Sequence, residues 1–330
     1  MSDALDQDAA AAAAVPMTLS ELAAQLADPD VPEADLQPYL TVASPRGFAP
    51  VLLPNENVVI TADDPLRTRA DLGLGFLNGA SRARRRRRFE RRLRDNDPAP
   101  LIVAEGDSWF QYPVFVEDVI DQLSPDYNIC CLSAAGDEID NMAIRKPEYL
   151  DWVARLTDEG RRLKALLISG GGNDLVGDQL AGLIHPFAAG REPAAYLDHP
   201  RFEERLRRIE AGYRAVFSSV RARWPALPIL IHGYDYGRPL PDQGLCVPPR
   251  DGWTGKPLRT NGISDPALAL AIVTAMIDRF NDLLTKLAGE FRHIIYVDVR
   301  NVVDADWRDE LHATDAGFAR VADRFRAALA

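Results

Sequence analysis

Three short stretches of this chain combine residue types that perform acyl-transfer chemistry. Gly106-Asp107-Ser108 offers a serine hydroxyl, Asp309-Glu310-Leu311-His312 offers a carboxylate and an imidazole three positions apart, and Gly170-Gly171-Gly172-Asn173-Asp174 offers an amide behind a run of glycines. A serine hydroxyl is a weak nucleophile at neutral pH; it needs an adjacent base and a third group that orients the base. Ser108, His312 and Asp309 are the candidates for those roles. With two residues between them, Asp309 and His312 fall on one loop or helical turn, so the carboxylate reaches the imidazole without a further strand to carry it. Attack by serine creates a negative oxygen that preformed donors must meet, each worth on the order of 2.7–4 kcal/mol in the barrier. The N–H groups of Ser108 and Gly136 and the side-chain amide of Asn173 are the candidate oxyanion hole. Glycine at 136 lets the backbone approach a substrate with no Cβ between.

Residues so far apart in sequence need a scaffold that gathers them on one rim. From Pro98 onward, short apolar runs alternate with helical patterns: Leu101–Ala104, Tyr127–Leu132, Ala165–Ser169, Ile229–His232 and Ile294–Asp298, separated by stretches such as Arg201–Trp224 and Pro266–Phe291 with apolar residues at three-and-four spacing. Continuous apolar strands separated by helices predict a parallel sheet covered on both faces, an α/β/α sandwich of three layers over residues 98–330. In such sheets ligands bind at the carboxyl ends of the strands. The first four runs are followed by Gly106-Asp107-Ser108, Gly136, Gly171-Gly172-Asn173-Asp174 and His232-Gly233-Tyr234-Asp235, and Asp309–His312 lies a few residues beyond the fifth.

Gly-Asp-Ser after the first strand, Gly136 after the second, Gly171-x-Asn173-Asp174 after the third and Asp309-x-x-His312 near the C-terminus together resemble, in order and spacing, the four blocks of the SGNH (GDSL-like) hydrolase superfamily. The resemblance covers roughly residues 100–330. It implies a flavodoxin-like sheet of five parallel strands, an esterase or lipase activity without a metal, Ser108 as nucleophile, Gly136 and Asn173 as oxyanion donors, and His312 as general base. Trp109 stands where the family more often has Leu, and Ala313 where Pro often follows the histidine.

The remaining sequence narrows the classes. A formal net charge of -11 over 330 residues argues against a dedicated nucleic-acid binder, which needs a surplus of Lys and Arg to neutralise phosphates. Three cysteines, two of them adjacent at Cys130 and Cys131, make no disulfide framework; they read as free thiols, and the pair as filler of an apolar strand. His185, His199 and His293 have no ligand spacing with Cys or carboxylates, so neither a metal nor a cofactor is expected. The N-terminus lacks a basic segment followed by a Leu/Val-rich one, and no run reaches the length of a membrane span, which predicts a cytoplasmic protein.

Residues 1–16, Ala-rich and acidic, read as a disordered tail, and residues 17–97 as a small, mainly helical attachment. Its helices are expected at Thr18–Ala27, with Thr18 or Ser20 as cap, briefly at Glu33–Gln37, and over Ser81–Arg94, which holds nine Arg and one Glu. Phe89 and Leu93, four apart, share one face of that last helix. Its arginines either pair with the acidic region Met1–Leu40, which holds no Lys or Arg, or meet nucleic acid or an anionic membrane surface, and residues 17–97 as a whole are a candidate contact for a protein partner or a membrane.

Two long passages, Val176–Pro200 and Gly237–Pro266, are expected to act as lids or binding walls. Trp109, Phe110, Tyr112, Phe187, Tyr234, Tyr236 and Trp253 are the aromatic candidates for an apolar acyl pocket. Asp107, Trp109, Asp174, His232 and Tyr234 are the candidate substrate-binding residues, with a structural role for His232 as the alternative. The function expected is hydrolysis of a small-molecule or lipid carboxylic ester or thioester. The alternatives are a lysophospholipase at an anionic membrane and a hydrolase effector bound to an assembly through residues 17–97.

Overall fold

The computed structural model describes residues 15–43, 50–61, 64, 66, 75–239 and 252–330. Its centre is a five-stranded parallel sheet built from β5 (Leu101–Gly106), β6 (Asn128–Cys131), β7 (Leu163–Ser169), β8 (Ile229–His232) and β9 (Ile294–Val297), in the order β6-β5-β7-β8-β9. Every residue of β5, β6 and β8 is buried. Successive strand side chains point to opposite faces, so both faces are covered, and this is why these runs are continuously apolar rather than alternating. The five strand regions lie where the sequence predicts them, with β5 and β7 two residues longer, β6 two shorter and β9 one shorter.

The helices around the sheet start at strong signals. In α5 (Pro200–Arg223) and α7 (Pro266–Glu290) proline occupies the first position, where its missing N–H costs nothing, and the preceding His199 or Asp265 side chain accepts an N–H of the first turn. The C-terminal α8 (Asp315–Leu329) is capped by Thr314, which accepts from Gly317 N–H. Asp118 caps the short α3 (Val119–Leu123), and α4 (Glu148–Asp158) precedes β7.

The order is the doubly wound one in which the chain runs outward from β5 to β6, then returns past β5 to β7 and continues to β9. The winding therefore reverses between β5 and β7, and a crevice opens beyond their carboxyl ends. Ser108 leaves β5 and Asn173 leaves β7, so the two face each other across it.

The N-terminal attachment has its own apolar cluster, with Leu19, Leu22, Leu26, Leu36, Leu40, Leu52 and Leu77 buried around α1 (Leu19–Leu26). Thr18 and Glu21 form a reciprocal capping box at the start of α1. Instead of one short helix after Glu33 there are two 3-10 turns, Glu33–Asp35 and Gln37–Tyr39. The attachment is also less helical than its sequence suggests. Met17–Thr18 (β1) pairs in parallel with Val58–Val59 (β4), and Leu40–Ala43 (β2) pairs antiparallel with Val51–Pro54 (β3). Strands of two to four residues are too short to establish an alternating pattern. The tail over residues 1–14 lies outside the described residues.

The arginine-rich helix α2 runs from Phe76 to Arg94, five residues earlier than its charge run. Phe89 and Leu93 are buried against the sheet layer, as their spacing requires. Several of its arginines are engaged within the fold. Arg84 meets Glu33 at 3.2 Å, Arg91 meets Asp30 at 2.6 Å, and Arg87 donates to the Ala27 carbonyl at 3.0 Å. Arg85, buried, is paired with Asp118 at 2.7 Å and with Asp121. Among the described residues no helix is long and apolar enough to cross a membrane.

Candidate active site

At the end of β5 the chain turns sharply, and Asp107 makes the turn. Its N–H donates to the Ser169 carbonyl at 3.1 Å, and its carbonyl accepts from Phe110 and Gln111 N–H. Its carboxylate accepts from Trp109 N–H at 3.1 Å and Ser169 Oγ at 2.8 Å on one oxygen, and from the Tyr234 hydroxyl on the other. Burial pushes the Asp107 carboxyl above the usual carboxylate range, against these three hydrogen bonds, which favour the charged form. The result is a serine fixed just beyond a fully anchored residue.

Ser108 Oγ lies 2.8 Å from His312 Nε2, and His312 Nδ1 lies 2.9 Å from both carboxylate oxygens of Asp309. Asp309 also accepts the N–H groups of Leu311 and His312, each at 2.8 Å, so one carboxylate both shapes the loop and orients the ring it carries. With Asp309 accepting from Nδ1–H, Nε2 is left as the acceptor for the serine proton. Trp109 Nε1 donates to the Leu311 carbonyl at 3.0 Å and ties the serine turn to the histidine loop. Tyr112 and Trp253 meet the His312 ring edge-on, at centroid distances of 4.8 and 5.4 Å. Ser108, Asp309 and His312 are all buried, at 6%, 3% and 1% exposure, so their mutual interactions act largely away from bulk water.

Asn173 opens from the loop after β7. Its Nδ2 donates to the Asp137 carbonyl at 2.9 Å and its carbonyl accepts from Gln179 Nε2 at 2.6 Å. That first bond draws the Asn173 loop to the loop carrying Gly136, whose φ of +82° suits glycine. Gly172 is required for a different reason: a Cβ there would stand 2.7 Å from the Tyr234 ring. Neither Ser108 nor Gly136 N–H donates to an acceptor among the described residues, whereas Asn173 keeps one amide hydrogen engaged.

A narrow cleft of about 550 Å³, mouth included, runs beside these groups. Ser108, His312 and Asn173 are on its wall with Asp107, Trp109 and Tyr234; Leu175, Val176, Val273, Met276 and Ile277 make it apolar. Gly136 does not form part of that wall and stands one residue from the carbonyl that Asn173 holds.

Two candidate binding residues lie elsewhere. Asp174 turns away from the cleft and accepts Ile139 N–H at 3.0 Å, and burial pushes its carboxyl up to about 6. His232 is fully buried beneath Trp109 and Phe110, with Nδ1 on the Gly233 carbonyl; burial pulls its pKa down to about 4, so it is a neutral core histidine. Among the aromatic candidates, Phe110 packs in the core against Phe325, Phe187 is 52% exposed, and Tyr236 is bonded to Asp278, so none of the three builds the cleft. Val176–Pro200 is anchored by the buried Leu180, Tyr196 and Leu197, and only its first residue reaches the cleft. Of the second long passage, residues 240–251 lie outside the described residues; Trp253 and Thr254 follow them at the site.

The sequence reading missed three contributions. The face Val273, Met276, Ile277 of α7 follows the spacing of any core-facing helix, so nothing marks it as a cleft wall. Glu310, fully buried, accepts Thr254 and Gly255 N–H at 2.8 and 3.0 Å and anchors the histidine loop to α6 (Gly255–Thr260). Asp235 accepts the N–H groups of Asn301, Val302 and Val303 at 2.7 to 2.8 Å. A carboxylate among apolar neighbours at a strand end was the available signal for it. No group of three or more His, Cys, Asp or Glu among the described residues is arranged to hold a metal ion.

No protein-family model and no curated protein matches the chain. Among its structural neighbours are GDSL-like lipases and esterases. A protein described as a GDSL-like lipase from Bacteroides ovatus aligns over 70% of this chain at 14% identity and a TM-score of 0.41, and the alignment spans about half, 52%, of that protein. An extracellular lipase from Streptomyces rimosus aligns over 70% of this chain and 100% of its own at 14% identity and a TM-score of 0.41. Phospholipase A1 from Streptomyces albidoflavus aligns over 69% of this chain and 99% of its own at 17% identity and a TM-score of 0.39. At such distances the chemistry has to be read from this chain's own residues.

Proposed function

We propose that the chain is a serine hydrolase that cleaves carboxylic esters, thioesters included, through an acyl-enzyme intermediate. The observation that carries this reading is the unbroken line Ser108 Oγ, His312 Nε2, His312 Nδ1, Asp309, with spacings of 2.8 and 2.9 Å, beside an apolar cleft. In the first step His312 Nε2 takes the Ser108 proton as Oγ attacks the substrate carbonyl. The oxyanion is met by the Ser108 N–H and the Asn173 amide, with the Gly136 N–H as third donor. Collapse expels the alcohol or thiol, which takes the proton from His312. In the second step water attacks the acyl-serine, His312 removes its proton, and the acid leaves as Ser108 is reprotonated. The Asp309 carboxylate, bonded to Nδ1, stabilises the imidazolium.

The cleft wall of Leu175, Val176, Val273, Met276 and Ile277 suits an apolar acyl group on a small-molecule or lipid ester. The buried free thiols Cys130 and Cys131 favour a reducing compartment such as the cytoplasm. Hydrolysis of p-nitrophenyl esters from acetate to palmitate, with Ser108→Ala as control, tests the reading, together with the intact mass of the protein after exposure to a fluorophosphonate. Serine-dependent turnover and one adduct on Ser108 are expected. Turnover that survives Ser108→Ala in a folded protein defeats the nucleophile assignment.

A further inference from the structure

The segment that leaves the nucleophile turn is gripped from outside the hydrolase sheet. Arg85 of α2 donates from Nη1 to the Phe110 carbonyl at 2.7 Å and pairs with Asp118, the α3 cap, which also accepts Tyr112 N–H at 2.7 Å. Both charges are buried, at 6% and 0% exposure. Along the chain between Tyr112 and Asp118, Val114 sits at φ +65°, a region where a β-branched side chain is strained and persists only when its surroundings impose it. Those surroundings belong to the N-terminal attachment: the Val114 side chain is buried in the cluster around α1, and its carbonyl accepts from Gln37 Nε2 at 3.2 Å.

The same segment ends on the catalytic loop. Phe115 gives its carbonyl to Arg308 Nη1 at 3.3 Å, and the Arg308 guanidinium lies over the Tyr112 and Phe115 rings. Arg308 N–H donates to the His312 carbonyl at 2.8 Å, and the Tyr112 ring abuts the His312 ring. A contiguous set of contacts therefore runs from the attachment to the imidazole.

We propose that the N-terminal attachment, residues 17–97, is a positioning clamp for His312, acting through Arg85 and Val114 as positioning residues. The proposal rests on the catalytic reading of His312 given above. Neither residue lines the cleft, so the consequence falls on proton transfer and not on substrate binding. A displacement of the base by about 1 Å suffices for a loss of up to about 100-fold in rate.

The test uses the full chain with Val114→Gly, which relieves the strain and withdraws the side chain from the attachment, and Arg85→Lys, which keeps a cation for Asp118 without the fork that also reaches Phe110. Three readings are taken: kcat and KM on p-nitrophenyl butyrate, the rate of Ser108 labelling by diisopropyl fluorophosphate, and the low-field proton resonance of His312 Nδ1–H. We expect kcat and labelling to fall by roughly 10- to 100-fold with KM changed less than about twofold, and the resonance to shift or broaden, while circular dichroism is unchanged. Arg94→Ala, exposed on the same helix, keeps wild-type values. Wild-type rates and resonance in both folded variants overturn the clamp, as does a rise in KM with kcat intact. If the wild-type protein neither turns over an ester nor labels, yet the resonance shifts in the variants, the clamp stands and the hydrolase reading fails. Should both variants not fold, Gln37→Ala decides by the same readings.

Discussion

Replacing Asp309 by asparagine separates its two jobs. Its Oδ1 accepts Leu311 and His312 N–H at 2.8 Å, and an asparagine Oδ1 can keep both bonds, so the loop retains its turn. The amide nitrogen then stands where Oδ2 was, 2.9 Å from His312 Nδ1, and donates to it. That stabilises the tautomer with the proton on Nε2, which faces Ser108 Oγ as a donor and cannot take its proton. The charge that stabilises the imidazolium in the transition state is lost as well. In a serine protease the equivalent change lowers kcat by about 10⁴, and the matching geometry leads us to expect a fall of about 10³ to 10⁴, or roughly 4 to 5 kcal/mol of barrier. KM and melting temperature should scarcely move. Asp309→Ala, by contrast, leaves two backbone N–H groups without their acceptor and should also destabilise the fold by about 1–3 kcal/mol. The assay is steady-state ester hydrolysis on both variants beside thermal melts. If Asp309→Asn keeps kcat within tenfold of wild type, the carboxylate serves the loop alone and the orienting role is wrong.

Ser108→Ala should abolish turnover with the melting temperature within a degree or two of wild type, because a small hydroxyl at the cleft contributes little packing; residual ester hydrolysis above background would contradict it. Asn173→Ala should lower kcat by about 10² to 10³ with little change in KM, as expected for a donor that acts on the oxyanion, and an effect confined to KM would reassign it to ground-state binding. Glu105 gives a prediction about stability. Burial, with repulsion from Asp137 second, pushes its carboxyl from 4.5 to about 8. The folded state therefore holds a proton that the unfolded state releases, so this contribution is fully present below about pH 4.5 and is lost as pH rises through 8. Glu105→Gln should remove that loss, giving melting curves that meet wild type near pH 4 and exceed it increasingly toward pH 8, by up to a few kcal/mol. Parallel curves across that range would show that Glu105 is not held protonated.

What the sequence made legible follows from how each feature is encoded. The sheet strands are buried on both faces, so the requirement is written locally as unbroken apolar runs, and the polar residues that follow each run stand out. Asp309 and His312 are legible for the same reason, since both partners fall within four residues. The cleft wall is not, because Val273, Met276 and Ile277 satisfy the pattern of a core helix whether they face protein or substrate. His232 ends its strand like the other polar residues, and only the rings of Trp109 and Phe110 packed over it decide that it is buried. The arginine run of α2 was legible as a helix, but the use of Arg85 depends on Asp118, 33 positions away, which no local spacing encodes.

The topology also explains why the histidine loop needs so many fixed points. Ser108 and Asn173 leave adjacent strands at the switch point, so the sheet itself sets their separation. His312 follows β9, at the far edge, and the chain must come back past β8 and β7 to reach the serine. Asp235, at the end of β8, holds three successive N–H groups of the loop just after β9, Trp109 holds the Leu311 carbonyl, and Glu310 is pinned to α6. A loop that long would otherwise sample many conformations, each ordered residue costing about 1–2 kcal/mol of backbone entropy. Placing a buried side chain at each stage puts that ordering into the fold, before substrate arrives, and keeps His312 Nε2 2.8 Å from Ser108 Oγ, as the proposed base requires.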